Sequence, residues 1–454
     1  MITLLYLLAA VLFILGLRGL GSPRTARRGN QLAAVGMFVA VIVTVADIYD
    51  EPRVAWGVVI AGLVVGGAAG AWLALKVQMT AMPQLVAAFN GFGGGASALV
   101  AAMEVVRDPS IFTTEIAVVV VLSLLVGTIT FSGSFVAYAK LQGLISGRPV
   151  ALPGGPWFNA AVGAATVAVG VWAVVSGDAL AYWVLTALAF VLGVTGVIPI
   201  GGADMPVVIS LLNSLSGVAA AMAGFVIGNQ ALIIGGALVG AAGLILTVQM
   251  SEAMNRSLAN VLFSGFGGGT SGTEMSEQPV NRATPEDVAI SLAYAERVMV
   301  VPGYGLAVAQ AQHAVRDLAN ALEERGVTVE YAIHPVAGRM PGHMNVLLAE
   351  ADVPYDQLLD LDHANPRFPM TDVALVVGAN DVVNPSARDD PNSPIYGMPI
   401  LEVDKARTVV VIKRSLSPGF AGIDNPLFYL DKTMMLFSDA KAGLENILAA
   451  LEAL

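Results

Sequence analysis

Nine apolar stretches, each close to the length needed to cross a lipid bilayer, occupy the first 262 residues of the chain. A span needs about 20 mainly apolar residues, and such stretches occur at 2–17, 31–48, 54–75, 85–106, 116–141, 158–175, 180–200, 207–227 and 231–250. Because backbone polar groups inside a bilayer must be paired within the protein, this pattern predicts nine transmembrane helices in residues 1–262.

The remaining residues have the composition of a water-soluble domain. Residues 1–262 carry 10 Lys and Arg and 9 Asp and Glu, whereas residues 263–454 carry 13 and 25. A glycine-rich and polar stretch at the junction favours a flexible connection. We therefore expect a linker at 263–283 and an acidic soluble domain at 284–454.

The basic residues predict the orientation of the bundle, because cytoplasmic loops are enriched in Lys and Arg. With nine spans, one face of the bundle receives eight basic residues: Arg18, Arg24, Arg27, Arg28, Lys76, Lys140, Arg148 and Arg256. Only Arg53 and Arg107 fall on the other face. This predicts a C-terminal domain in the cytoplasm and an N-terminus outside. No basic residue precedes the first stretch, which favours a retained span over a cleaved signal peptide.

Composition excludes several classes of site. The chain has no cysteine, so it has neither disulfides nor thiolate metal ligands. Redox chemistry would need a borrowed cofactor, and we expect no metal site. The net charge of −11 argues against a nucleic-acid partner, because phosphate binding needs a concentrated basic surface.

Three polar residues in or beside the apolar stretches are candidates for function, since such groups are costly in a membrane. Asn90 lies in the fourth stretch, Asp204 precedes the eighth, and Asn213 lies within it. Hydrogen bonds between helices and a water-lined proton path are both compatible with the two asparagines. Asp204 is suited either to capping a helix or to an acid at the mouth of such a path. Glu115 is expected to be an interfacial anchor.

A glycine fingerprint opens the soluble domain. The β-branched run at 297–302 leads into GYGLAV at 303–308, and a helical pattern continues through Glu324. Strand, glycine turn and helix form the context of a dinucleotide-binding motif. We expect Gly303 to permit a tight turn, Gly305 to let the backbone approach a pyrophosphate, and Ala307 or Val308 to allow close packing.

Further strands are predicted at 328–333, 374–378 and 408–412, which indicates an α/β doubly wound, Rossmann-like domain with a parallel sheet. Ligands of such sheets bind beyond the carboxyl ends of the strands. The second strand ends in His334 and Pro335 rather than in the acid typical of NAD sites. Lys413, Arg414 and Ser415 follow another strand, and they suit a 2′-phosphate unless they form a solvated surface cluster. We therefore predict NADP(H) over NAD(H).

Five segments closely resemble the beta subunit of proton-translocating NAD(P) transhydrogenase, and the resemblance covers essentially the whole chain. They are GYGLAVAQAQ at 303–312, HPVAGRMPGHMNVLLAE at 334–350, GANDVVNPSA at 378–387, DDPNSPI at 389–395 and GADMP at 202–206. The resemblance implies hydride transfer between NADH and NADP⁺, driven by proton re-entry across a bacterial cytoplasmic membrane. Because the chain has one credible fingerprint, NAD(H) should lie on a partner alpha subunit, which adds membrane helices, in a dimer of heteromers.

The resemblance also implies roles for individual residues. Nucleotide contacts are expected from Gly303, Tyr304, Gly305, Ala307, Val308, Pro335, Val336, Ala337, Gly338, Arg339, Met340, Gly378, Ala379, Asn380, Asp381, Lys413, Arg414 and Ser415. Gly419, Phe420, Ala421 and Gly422 should form a lid, with Phe420 where a tyrosine is expected. Asp381 is a candidate for sensing protonation.

Asn90, Asp204 and Asn213 match positions linked to the proton path, although many members have a histidine in place of Asn90. Because an amide does not titrate near neutral pH, either the partner's helices supply a protonatable group or a water chain passes Asn90 with Asp204 at its cytoplasmic mouth. Two other classes of function remain open. The chain would also suit a channel or transporter with a regulatory nucleotide domain, or a membrane anchor that stores NADP(H).

Overall fold

A computed structural model describes residues 2–49, 55–78, 81–107, 109, 112–146, 150, 152–202, 204–254, 257–263, 278–339, 342–419 and 421–454. Residues used in the predictions that lie outside these ranges are Arg53, Val54, Arg148, Ala203, Arg256, Met340, Phe420 and the linker residues 264–277. The chain divides into two compact units, one formed by residues 1–200 and 208–246 and the other by residues 201–207 and 247–454.

Within the described ranges, nine helices are long and apolar enough to cross a membrane, as predicted. They are α1 (Ile2–Gly19), α2 (Pro23–Asp47), α3 (Trp56–Lys76), α4 (Met82–Arg107), α5 (Thr114–Leu141), α6 (Gly155–Ser176), α7 (Ala179–Val197), α8 (Met205–Ile227) and α9 (Gln230–Ala253). The second helix is longer at its N-terminal end than the apolar stretch of residues 31–48. Helix α2 begins at Pro23, whose fixed φ favours the first helical turn, and its basic first turns extend beyond the apolar stretch.

Small residues allow the backbones of neighbouring membrane helices to touch. A β-carbon on Gly127 of α5 would lie 2.6 Å from the carbonyl oxygen of Gly94 in α4. One on Gly236 of α9 would lie 2.6 Å from the carbonyl oxygen of Gly217 in α8. These contacts explain the glycines at these four positions as close helix packing.

The C-terminal α/β domain contains a six-stranded parallel sheet in the order β3-β2-β1-β4-β5-β6. The strands are β1 (Arg297–Pro302), β2 (Thr328–Ala332), β3 (Leu358–Leu359), β4 (Val373–Val377), β5 (Thr408–Lys413) and β6 (Thr433–Phe437). The interiors of β1, β4 and β5 are buried, as expected for strands covered on both faces. This confirms the doubly wound fold, and β3 and β6 are additional to the four predicted strands.

Short helices precede, connect and follow the strands. They are α10 (Leu258–Phe263), α11 (Pro285–Ala293), α12 (Tyr304–Val308), α13 (Gln312–Glu324), α14 (His343–Glu350), α15 (Leu361–Ala364), α16 (Ser386–Asp389) and α17 (Ala440–Glu452). Single 3₁₀ turns occur at Tyr355–Gln357, Asn365–Met370, Asp381–Val383, Val403–Lys405 and Pro426–Tyr429. The single helix predicted through Glu324 is wrong, because Gln310 has a left-handed φ of 50° that separates α12 from α13.

The strand order reverses at β1, since β2 pairs with one of its edges and β4 with the other. The chain therefore continues from β1 to the neighbouring β2 on one side of this point, and from β4 to the neighbouring β5 on the other. Ligands of open parallel sheets bind in the crevice beyond the carboxyl ends of the strands at such a point.

Candidate functional site

A cavity of about 460 Å³ lies at the carboxyl ends of five strands, where the strand order reverses. Its described lining residues come from the turns after β1, β2, β4, β5 and β6. They are Gly303, Tyr304, Gly305, Val308, Val336, Ala337, Gly338, Gly378, Ala379, Asn380, Asp381, Val382, Ile412, Lys413, Arg414, Ser415, Ser417, Pro418, Gly419, Ser438, Asp439 and Ala440. Fifteen of these are residues that the sequence predicts for the nucleotide site.

The glycine turn after β1 crosses directly over the turn after β4. The Gly303 N–H donates to the Val377 carbonyl and the Gly305 N–H to the Gly378 carbonyl, both at 2.9 Å. A β-carbon on Gly303 would lie 2.3 Å from Ala379 Cα, and one on Gly305 would lie 2.7 Å from Gly378 Cα. Both glycines are therefore required by contact between two backbones. At Gly303 the backbone is extended rather than left-handed, with φ of −123°.

The other described residues of the predicted nucleotide site do not line the cavity. Ala307 is fully buried beneath the turn, which fits its predicted packing role. Pro335, Arg339, Ala421 and Gly422 are not among the described residues that line the cavity. The Arg339 guanidinium carbon lies 4.5 Å from the centre of the Tyr304 ring, a cation–π distance. Arg339 therefore contacts a residue that lines the cavity.

Seven lining residues are not in the prediction. Four of them neighbour predicted positions along the chain or lie just beyond Ser415; Ser438, Asp439 and Ala440 instead follow β6, a strand that the sequence analysis does not identify. The feature of the sequence that could have revealed β6 is Asp439. Its side chain accepts from the Lys441 N–H at 3.1 Å and caps helix α17. An apolar run followed by a capping residue marks a strand that ends at a helix.

Two cations meet the cavity at the end of β5. Lys413 is half-buried, with its ammonium 4.9 Å from the centre of the Phe428 ring and donating to the Ser417 carbonyl. Burial lowers the pKa of Lys413 to about 8, although the charges of Asp381 and Asp424 act in the opposite direction. Arg414 is exposed, and within the described part of the chain it forms no ion pair.

Asp381 holds the segment that was predicted to be a lid. Its Oδ2 accepts from the Ala421 N–H at 3.0 Å, and a β-carbon on Gly419 would lie 2.3 Å from its Oδ1. Farther along the chain, the Asn384 side chain donates to the Asp424 carbonyl at 3.0 Å. The segment that follows β4 therefore anchors the backbone at both Ala421 and Asp424.

The three polar residues of the membrane region have separate surroundings. Asn90 is buried about two turns into α4, and its Nδ2 donates to the Ile209 carbonyl of α8 at 3.4 Å. Asn213 is half-buried in α8, and its carbonyl accepts from the Ser216 hydroxyl at 2.7 Å. Asp204 is buried and immediately precedes α8. Asn90 thus makes a hydrogen bond between helices, one of the two roles compatible with its position.

Comparison with known proteins identifies the family. A family model described as NAD(P) transhydrogenase beta subunit matches residues 2–450. Two relatives from Rhodospirillum rubrum, one assigned to the species and one to an individual strain, are both named NAD(P) transhydrogenase subunit beta. Each is 51% identical to this chain over 459 residues, which cover 98% of both proteins. With nine apolar helices followed by a six-stranded parallel α/β domain, the chain belongs to the NAD(P) transhydrogenase beta subunit family and is part of that enzyme.

Proposed function

We propose that this chain binds NADP(H) in the cavity beyond the sheet and exchanges hydride with NAD(H) on a partner alpha subunit, coupled to proton movement across the membrane. The observation that carries this proposal is the convergence of Lys413 and Arg414 with the glycine turn of residues 303–305 on one cavity. Two cations at the end of β5 give a 2′-phosphate charged partners that the unphosphorylated cofactor cannot use.

The residues present fit NADP(H) better than NAD(H). An NAD site needs a carboxylate after the second strand for the ribose hydroxyls. Among the described lining residues, the carboxylates are Asp381 and Asp439, which follow β4 and β6, and the loop after β2 contributes only Val336, Ala337 and Gly338. When bound, NADP(H) supplies the nicotinamide carbon that gives or receives hydride.

This chain's own residues would bind and enclose the nucleotide. Lys413, Arg414 and Ser415 would take the 2′-phosphate, and the 303–305 and 378–381 turns would form the floor. The 419–422 segment, tied to Asp381 through the Ala421 N–H, would cover the cavity and exclude water. Because Asp381 is an ionisable group in contact with that segment, its protonation would loosen the cover, which is the coupling role that we assign to it.

Membership of a beta-subunit family implies an alpha-subunit partner, and we propose that this partner carries the NAD(H) site and further membrane helices in a dimer of heteromers. The support is that the chain contains one fingerprint preceded by a strand. We place the complex in a bacterial cytoplasmic membrane with the nucleotide domain in the cytoplasm, on the eight-to-two distribution of basic residues. The proton path would include Asn90, Asp204 and Asn213.

The energy available from one proton is sufficient for such coupling. A charge that falls through 100 mV releases about 2.3 kcal/mol. At about 1.4 kcal/mol per tenfold change, this energy biases the ratio of NADPH to NADP⁺ roughly fiftyfold.

Hydride transfer tests the proposed function directly. Membranes that contain this chain and its alpha partner are expected to reduce a thio or acetylpyridine analogue of NADP⁺ with NADH, at a rate that an uncoupler changes. Absorbance of the reduced analogue measures the transfer. Retained nucleotide without transfer would instead favour a regulatory or storage role for the nucleotide domain.

The affinity for NADPH is expected to fall as pH rises above about 8. The 2′-phosphate of NADPH is fully charged above pH 7, since its second pKa is about 6. Lys413 is therefore the group at the proposed phosphate position that titrates above pH 8. Burial lowers the pKa of Lys413 to about 8, and a bound phosphate would raise it again. Binding then takes up a proton, and the Kd for NADPH should approach a tenfold increase per pH unit.

A Lys413→Arg variant is the control for this titration, because arginine keeps its charge throughout the range. Its Kd should be nearly constant from pH 7.5 to 9.5, and an equally steep rise in that variant would contradict the assignment to Lys413. Unfolding of the domain through titration of Lys413 would not account for the weaker binding of NADPH at high pH. Between the lowered pKa and the usual value of 10.5 the unfolded chain holds the proton that folded Lys413 has lost, so this group makes the free energy of unfolding rise with pH.

A further inference from the structure

Two of the four histidines flank the loop that follows β2, and the proposed function uses neither. His334 begins this loop and His343 is the first residue of α14, which ends it. Both imidazoles are 1% exposed. His313 and His363, the other two, lie exposed on the domain surface.

Each buried imidazole accepts a hydrogen bond from the backbone of the loop between them. The Val336 N–H donates to His334 Nδ1 at 3.2 Å, and the Arg339 N–H donates to His343 Nδ1 at 3.0 Å. Since Nδ1 accepts in both rings, a neutral ring carries its proton on Nε2. In His334 that proton is directed to the Pro399 carbonyl, 2.7 Å away.

The surroundings keep both rings neutral and hence able to accept. Burial lowers the pKa of His334 to about 4, while the hydrogen bond to Pro399 acts in the opposite direction. Burial and then the Arg339 charge lower the pKa of His343 to about 4. A protonated ring would present an N–H to each loop amide and lose the bond.

The loop backbone lies directly against the His343 ring. Gly338 has a left-handed φ of 111°, and a β-carbon there would lie 2.5 Å from His343 Nδ1. Val336, Ala337 and Gly338 line the cavity. The loop therefore lines the cavity with residues 336–338, while the two imidazoles bind its backbone amides.

We propose that His334 and His343 are positioning residues for NADP(H), which hold the 336–339 backbone in its binding conformation by accepting its amides through Nδ1. The proposal rests on the proposed function. Without an acceptor, a loop amide loses a bond that favours this one conformation, so less of the protein is competent to bind. Because neither ring lines the cavity among the described residues, the affinities for NADP⁺ and NADPH should fall by the same factor.

Substitutions at His343 separate the acceptor from the bulk of the ring. Asparagine places an amide oxygen near the position of Nδ1, glutamine carries its oxygen farther out, and leucine has none. In the full chain with its alpha partner, His343→Asn should bind NADPH within about threefold of the native chain, whereas His343→Gln and His343→Leu should bind about tenfold more weakly. His313→Leu, an exposed change, should leave the Kd unaltered.

Fluorescence titration with NADPH, and competition with NADP⁺, measures these constants. Equal affinities for the Asn and Gln variants would overturn the positioning role, as would a His343→Asn chain that fails to fold or to bind, because an acceptor at that position is all the proposal requires. If His343→Leu does not fold, the comparison of Asn with Gln decides. A native chain that does not bind NADPH would instead reject the proposed function.

Discussion

The double substitution Lys413→Gln, Arg414→Gln is expected to weaken NADPH binding roughly 1,000-fold and to remove the preference for NADPH over NADH. A hydrogen bond to a charged group contributes about 1.5–3 kcal/mol, so two of them contribute roughly 4 kcal/mol, which is about three factors of ten. Both side chains line the cavity at the end of β5. Affinity for NADH, which lacks the 2′-phosphate, should change much less.

The single variants and a matched control distinguish loss of a ligand contact from loss of the fold. Lys413 also contacts Phe428 and Ser417, so its removal affects packing, whereas exposed Arg414 can be changed without disturbing the core. Arg407→Gln makes the same change of charge beside Asp372, which its guanidinium contacts at 2.9 Å near the start of β5, and should alter the Kd by less than threefold. If the double variant still prefers NADPH, the phosphate is bound elsewhere.

Local sequence patterns predicted those parts of the molecule that depend on short segments. Apolar length predicted the nine helices, and β-branched runs predicted β1, β2, β4 and β5. Strand β6 was not predicted because Met434 and Met435 replace the β-branched residues that mark a buried strand. The interruption at Gln310 has no glycine to announce it, since a glutamine adopts the left-handed conformation there.

Contacts between distant segments account for what the sequence could not predict. The sequence predicted that Gly305 approaches a ligand but could not predict that it also packs against Gly378, 73 positions along the chain. Asp381 was a candidate for protonation, but its bond to the Ala421 N–H exists only in the folded domain. The lack of an acid after β2 could be seen in the sequence, whereas the use of His334 as an acceptor could not.

Asp204→Asn is expected to reduce proton-coupled hydride transfer about 100-fold, because removing one acid from a proton path removes a transfer that contributes about 10²–10⁴ in rate. The substitution also discriminates between the two roles of Asp204. Asparagine is as good a helix cap as aspartate, so a residue that only caps α8 would leave coupled turnover unchanged. Proton uptake into vesicles, measured together with hydride transfer, records the result.

Two further variants place Asp204 in the proposed path. Glu115→Gln makes the same chemical change at an exposed position in the first turn of α5 and should leave proton uptake unchanged. Asn90→His introduces a titratable ring at a buried position where α4 bonds to the Ile209 carbonyl, so coupled turnover should acquire a dependence on pH that the native chain lacks. Normal proton uptake by both Asp204→Asn and Asn90→His would mean that the protons cross elsewhere, through groups of the alpha partner.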